Sequence, residues 1–138
     1  MDLLGYQPVA GQNAELMNRA FWGDAIIRMW IRLRIRHEFA GRGSGNKLNN
    51  QTHEDILNSN EQMGKFAHVL FPGCSGKRIA DNFEAMVAYM YDNGYAYEYL
   101  LEAYYQDYML SQPRHQKAWA GAEMRCPLMN KLRKENRL

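Results

Sequence analysis

Three carboxylates in this sequence could act together on a metal ion. Asp81 and Glu84 are three residues apart, so on a helix their side chains leave one face, one above the other. Phe83, Met86, Val87 and Met90 lie on the adjoining apolar side, which puts the pair at the margin of a core. There a hard divalent cation can be held by oxygen ligands and still keep waters. D-x-x-E on a helix is common among plain surface acids, so the pair needs a third member. Asp24 is the candidate. It follows Gly23 inside an apolar stretch, Phe21-Trp22-Gly23-Asp24-Ala25. A glycine inside a helix costs about 1 kcal/mol relative to alanine, which points to close approach of another element there. A competing role for Asp24 is equally specific: Asp24, Arg28, Arg32 and Arg36 recur at intervals of four, an ion-pair ladder that satisfies an aspartate without any metal. Spacing alone leaves ladder and ligand both open.

The elements that must position these acids are helical. Pro and Gly punctuation separates three apolar stretches. The first runs from about Asn13 to Phe39, with Leu16, Ala20, Ile27, Trp30 and Ile31 approximating a helical stripe, and stops at Gly41-Arg42-Gly43-Ser44-Gly45. The second runs from about Thr52, a candidate cap, to Leu70, and ends at Phe71-Pro72-Gly73. The third begins near Ala80 and reaches about Leu110, with a break at Asn93-Gly94. No segment shows sustained β alternation and there are no internal repeats. The expected fold class is all-α, a helical domain over residues 1–112 followed by a basic tail or helix over 113–138 that carries Trp119.

Composition is compatible with one globular domain: 138 residues, 46% hydrophobic and 23% charged. No apolar run approaches the roughly 20 residues of a membrane helix, so no membrane partner is expected. MDLLGYQPVAGQ lacks the basic start and apolar stretch of a secretory signal. An intracellular, cytoplasmic compartment is expected, with mitochondria left open. Cys74 and Cys126 lie 52 positions apart with no zinc-type spacing, and reduced, partly buried thiols are expected. The four histidines form no HxxxH or HxH pair.

Charge is segregated along the chain. Arg28 to Lys47 holds six basic residues against the single acid Glu38, and Arg114 to the end holds seven against two. From Asp81 through Asp107 there are six acids and no Lys or Arg. Such separation suits a protein that grips a polyanion with basic regions and holds cations at an acidic one. Solvated helix faces give the same pattern.

Three blocks of these residues resemble one family. Phe21-Trp-Gly-Asp24-Ala-Ile-Ile is similar to the signature helix of ribonuclease III enzymes, hydrophobic-hydrophobic-Gly-Asp-Ala/Ser-hydrophobic. Leu57-Asn-Ser59-Asn60-Glu-Gln-Met63-Gly-Lys-Phe-Ala67 resembles the family's Ser-Asn-x-x-Leu-(Ala/Gly)-x-x-Ala helix, and Lys77-Arg-Ile-Ala80-Asp81-Asn-Phe83-Glu84-Ala85 its Lys-x-x-Ala-Asp-x-(Phe)-Glu-Ala block, which continues to Gly94. The blocks agree in order and separation over about residues 16 to 105. Leu4-Gly5-Tyr6 resembles the Leu-Gly-Tyr that opens many such domains, although the helix that normally follows is almost entirely missing. That shortening is similar to small members without an appended double-stranded RNA-binding domain.

The resemblance implies a ribonuclease III endonuclease domain, a dimeric helical bundle with a cleft across the subunit interface. Asp24, Asp81 and Glu84 match three of the family's four catalytic acids and would hold Mg²⁺, with Mn²⁺ able to substitute. The implied activity is hydrolysis of double-stranded or structured RNA to 5′-phosphate and 3′-hydroxyl ends with short 3′ overhangs. Lys77 matches a lysine just before the second acid pair and as a cation could steady the scissile phosphate, and Phe21, with Trp22 beside it, matches the aromatic pushed into the partner of a homodimer. Arg28, Arg32, Arg36 and Arg42 are candidate RNA contacts. One departure stands out. The fourth acid, four residues before Asp24, is Ala20, and a second frequent glutamate position is Met17. Loss of that ligand implies weaker metal binding. It also keeps open a ribonuclease III-like protein that binds RNA or a partner without cutting. An unrelated helical protein, with Asp24 in the arginine ladder, is the third possibility.

Overall fold

The computed structural model describes residues 3–39 and 47–111, and those residues form five helices and no strand. They are α1 (Ala14–Phe39), α2 (Lys47–Leu57), α3 (Asn60–Ala67), α4 (Lys77–Asp92) and α5 (Tyr97–Leu110). The all-α expectation holds. The first stretch matches α1 closely, and the break at Asn93-Gly94 falls between α4 and α5. Arg42, Cys126, Trp119 and the basic tail lie outside the described residues.

The second stretch needs correction. It is two helices, and Thr52 lies inside α2 rather than capping it. The cause is local. The Ser59 side chain accepts a hydrogen bond from the Gln62 backbone N–H at 3.2 Å and so caps α3. The Asn58 amide donates to the Glu54 carbonyl at 2.9 Å, closing the end of α2. Apolar periodicity runs on across the two helices and hides the break.

Helix α4 is the centre of the fold. Residues 80–88 are all buried, as in a helix surrounded on every side. Along α1, Leu16, Ala20, Ile27, Ile31 and Ile35 form the buried stripe that packs on it. The two helices meet with almost no space at Gly23, where a Cβ would lie 1.8 Å from the Glu84 carbonyl oxygen. Only a residue without a side chain permits that crossing. On the other flank Phe66, Phe83 and Tyr104 from α3, α4 and α5 pack edge-on and tilted, with ring centroids 5.2–5.8 Å apart.

Polar side chains fix what apolar packing leaves loose. The N-terminal segment is strapped to α4 by Asn82, which is fully buried. Its carbonyl accepts from the Tyr6 hydroxyl at 2.7 Å and the Val9 N–H at 2.8 Å, while its amide donates to the Val9 carbonyl at 2.8 Å. The turn before it needs Gly5, whose φ is +88° and whose missing Cβ makes room for the Tyr89 hydroxyl. Arg34 ties α1 to α5: it donates to Glu102 at 2.8 and 2.9 Å and to Glu38 at 3.1 Å, and stacks 4.5 Å over the Tyr105 ring. Burial alone would lower the pKa of this guanidinium, but its two carboxylate partners raise it above the usual arginine range.

Candidate acidic site

The α1–α4 crossing places the acids. Because Gly23 lets the backbones touch at Glu84, the next residue of α1, Asp24, comes level with Glu84, and the two carboxyl groups share a hydrogen bond. Asp81, one turn earlier on α4, stands close enough to act on Glu84 electrostatically. Asp81 and Glu84 are both buried, deeper than the core margin that their spacing implied, whereas the Asp24 side chain is a third exposed.

Each acid has a different electrostatic situation. Asp24 accepts from Arg28 Nε at 2.8 Å, in a pair that faces solvent. Asp81 accepts from Arg78, also on α4, in a pair whose side chains are 24% and 4% exposed. Glu84 has neither arginine as a direct partner. Desolvation, first, and then the hydrogen bond and charge of Asp24 and the charge of Asp81 push its carboxyl up to about 9; Arg28 opposes the shift. At neutral pH and with no added cation, Glu84 therefore keeps its proton and can donate it to Asp24. Three carboxyls share two guanidinium groups, and the third is neutralised by a proton.

A cation can replace that proton. Glu84 presents a buried carboxyl with two acidic neighbours, and oxygen donors of this kind suit a hard divalent ion. Among the described residues, however, no three His, Cys, Asp or Glu side chains stand close enough together to hold a metal ion as they are. Asp81 is held instead by Arg78.

The structure distributes the other sequence candidates unevenly. Lys77 is solvent-exposed at the first position of α4, and its neighbour Arg78 is the cation that meets the acids. Of the arginine ladder only the Asp24–Arg28 rung forms; Arg32 crosses to Glu54 on α2, at 2.6 and 3.2 Å. Arg36 is exposed. Phe21 is 82% exposed and Trp22 is 46% exposed, its indole edge-on to Tyr91 at 5.8 Å. With Ala25, Met29 and Leu33 they give α1 an apolar outer face. Ala20 is buried, and Met17 carries the Arg78 guanidinium 4.0 Å from its sulfur.

Sequence reasoning missed two residues. Arg78 was detectable, since it precedes Asp81 by three on one helix, the same spacing that drew attention to Glu84. Asn82 was not, because its partners Tyr6 and Val9 are more than seventy residues away.

Cys74 is a free thiol, partly buried, and donates to the Val9 carbonyl at 3.6 Å; burial raises its pKa. No helix among the described residues is long and apolar enough to cross a membrane. No family model, no curated protein and no solved structure matches this chain.

Proposed function

We propose that this chain is a Mg²⁺-dependent endoribonuclease of the ribonuclease III type, acting on double-stranded or structured RNA as a homodimer. What carries this reading is Glu84: a buried, proton-holding carboxyl against Asp24 and near Asp81, at a helix crossing that only Gly23 allows. A structural acid has no need of such a place, because an apolar residue there would avoid the desolvation cost. A buried acid whose protonation is shifted by desolvation and by acidic neighbours is a functional-site candidate.

In this reading Asp24, Asp81 and Glu84 would hold the ion, and Glu84 gives up its proton when it does so. Mg²⁺ held there would make a bound water more acidic and neutralise charge on the phosphoryl and leaving oxygens. In the proposed hydrolysis a water would add to phosphorus with loss of a proton, the bond to the 3′ oxygen would break and that oxygen would take up a proton, leaving the phosphate on the 5′ oxygen of the downstream fragment. Lys77 and the exposed guanidinium groups of Arg28 and Arg36 offer positive charge to the RNA backbone. The outer apolar face of α1 around Phe21 is the surface a second copy would cover.

Incubation with a labelled RNA duplex and Mg²⁺ or Mn²⁺ tests the proposal. Cleavage to 5′-phosphate ends, lost in Asp24→Asn and Glu84→Gln, is the expected result; no cleavage at micromolar protein refutes it. The second reading, RNA or partner binding without cutting, is favoured by Ala20 and by the hold of Arg78 on Asp81. It expects duplex binding that neither substitution changes and no metal dependence.

A further inference from the structure

We propose that Arg78 is an internal counter-ion that competes with an incoming divalent cation for Asp81, so that the acidic site loads only as the guanidinium gives way. The inference rests on the reading that these acids hold a cation.

Arg78 and Arg28 each pair with one acid of the cluster, but the two pairs differ in kind. Arg28 and Asp24 form an exposed pair four residues apart on α1, with side chains 56% and 33% accessible. Such pairs stabilise little, and the arginine can swing into water at small cost. Arg78 and Asp81 form a close contact whose carboxylate is almost completely withdrawn from water. Breaking it removes the counter-charge from a desolvated carboxylate, which is far more costly.

The surroundings concentrate the charge of Arg78 on Asp81. The guanidinium nitrogen that meets Asp81 also approaches the Met17 sulfur, at 4.0 Å. One turn along α1 is Ala20, which is buried and equally uncharged. Met17 gives Arg78 no competing charge, and among the described residues Asp81 is the acid with which Arg78 pairs. A divalent cation approaching Glu84 and Asp24 therefore meets a third acid already neutralised by a fixed positive charge. The two cations repel each other, and one of them must leave Asp81.

This assigns to Arg78 a positioning role: it sets how readily the cation binds and where Asp81 is held meanwhile. Binding of Mn²⁺ to the full chain, followed by its electron paramagnetic resonance signal near neutral pH, tests it without any RNA or turnover. Arg78→Ala is expected to bind Mn²⁺ at least about tenfold more tightly than the wild type, the equivalent of one charged hydrogen bond removed from competition. Arg78→Lys keeps the charge and is expected to stay within about threefold of the wild type. Arg28→Ala, the exposed control, should also shift affinity by less than about threefold. Far-UV circular dichroism and thermal melting verify folding; should Arg78→Ala fold poorly, Arg78→Gln keeps most of the stem against Met17 and serves the same comparison.

Equal Mn²⁺ affinity in the wild type and Arg78→Ala overturns the inference alone. Weaker binding in Arg78→Ala overturns it too, and makes Arg78 an aid that orients Asp81 for the metal. No Mn²⁺ bound by the wild type or any variant at millimolar concentration overturns it together with the cation reading on which it rests.

Discussion

Glu84→Gln in the metal-free protein isolates the buried acid pair. In the folded chain Glu84 holds its proton up to about pH 9, whereas the unfolded chain releases it near 4.5. The folded state therefore binds more protons than the unfolded state between those values. The contribution of this group to stability is complete below the unfolded value and is lost as pH rises towards 9. Within that window the loss is about 1.4 kcal/mol per pH unit. From about pH 5.5 to 7.5 this amounts to roughly 3 kcal/mol, a large share of a typical domain stability of about 5–15 kcal/mol. Glutamine has nearly the same shape as the protonated glutamate and can still donate to Asp24, but it has no proton to lose. Urea unfolding of both proteins in a chelator, at several pH values, gives the comparison. The advantage of Glu84→Gln over the wild type should grow by roughly 3 kcal/mol across that interval, because the other titrating groups are common to both and cancel. A difference that stays flat within about 0.5 kcal/mol would mean that Glu84 ionises like an exposed carboxyl, and would refute the account of the site.

Gly23→Ala places a methyl carbon where 1.8 Å separates it from the Glu84 carbonyl oxygen; α1 and α4 must move apart, at a cost of about 3 kcal/mol or more in urea unfolding. An unchanged midpoint would disprove the tight crossing. Phe21→Ala should leave monomer stability within about 0.5 kcal/mol, since the ring is 82% exposed, yet shift the proposed homodimer to monomer in light scattering. A dimer that survives places the interface elsewhere. Asn82→Ala removes the partner of the Tyr6 hydroxyl and of both Val9 backbone groups, and should destabilise by about 2–4 kcal/mol. Hydrogen exchange at the Val9 amide should accelerate in that variant more than exchange in α5; equal protection at Val9 would show that the strap holds without Asn82.

Much of the architecture was legible because helices are local. The stripe Leu16, Ala20, Ile27 and Ile31 follows from a period of 3.6, and the break at Asn93-Gly94 from residues that end helices. The division between α2 and α3 was not legible, since it rests on the Ser59 side chain capturing the Gln62 backbone donor, and apolar periodicity does not register that contact. Thr52 carries the same kind of hydroxyl but lies inside α2. Of the ladder that spacing offered, the Asp24–Arg28 rung forms, and the next arginine is drawn elsewhere. Spacing makes Arg32 a neighbour of Arg28 and Arg36, but packing of α2 against α1 offers it Glu54 instead.

For the acids the division is sharper. Sequence by itself put Asp81 and Glu84 on one helical face, and the Gly-Asp step at 23–24 hinted that another element comes close. Tertiary structure decided that this element is α4 and that the point of contact is Glu84 itself. It also decided how the charges are shared: a proton on Glu84, Arg28 on Asp24, Arg78 on Asp81. Charge sharing depends on burial and on distances between separate helices. Neither is written in residue spacing along one of them.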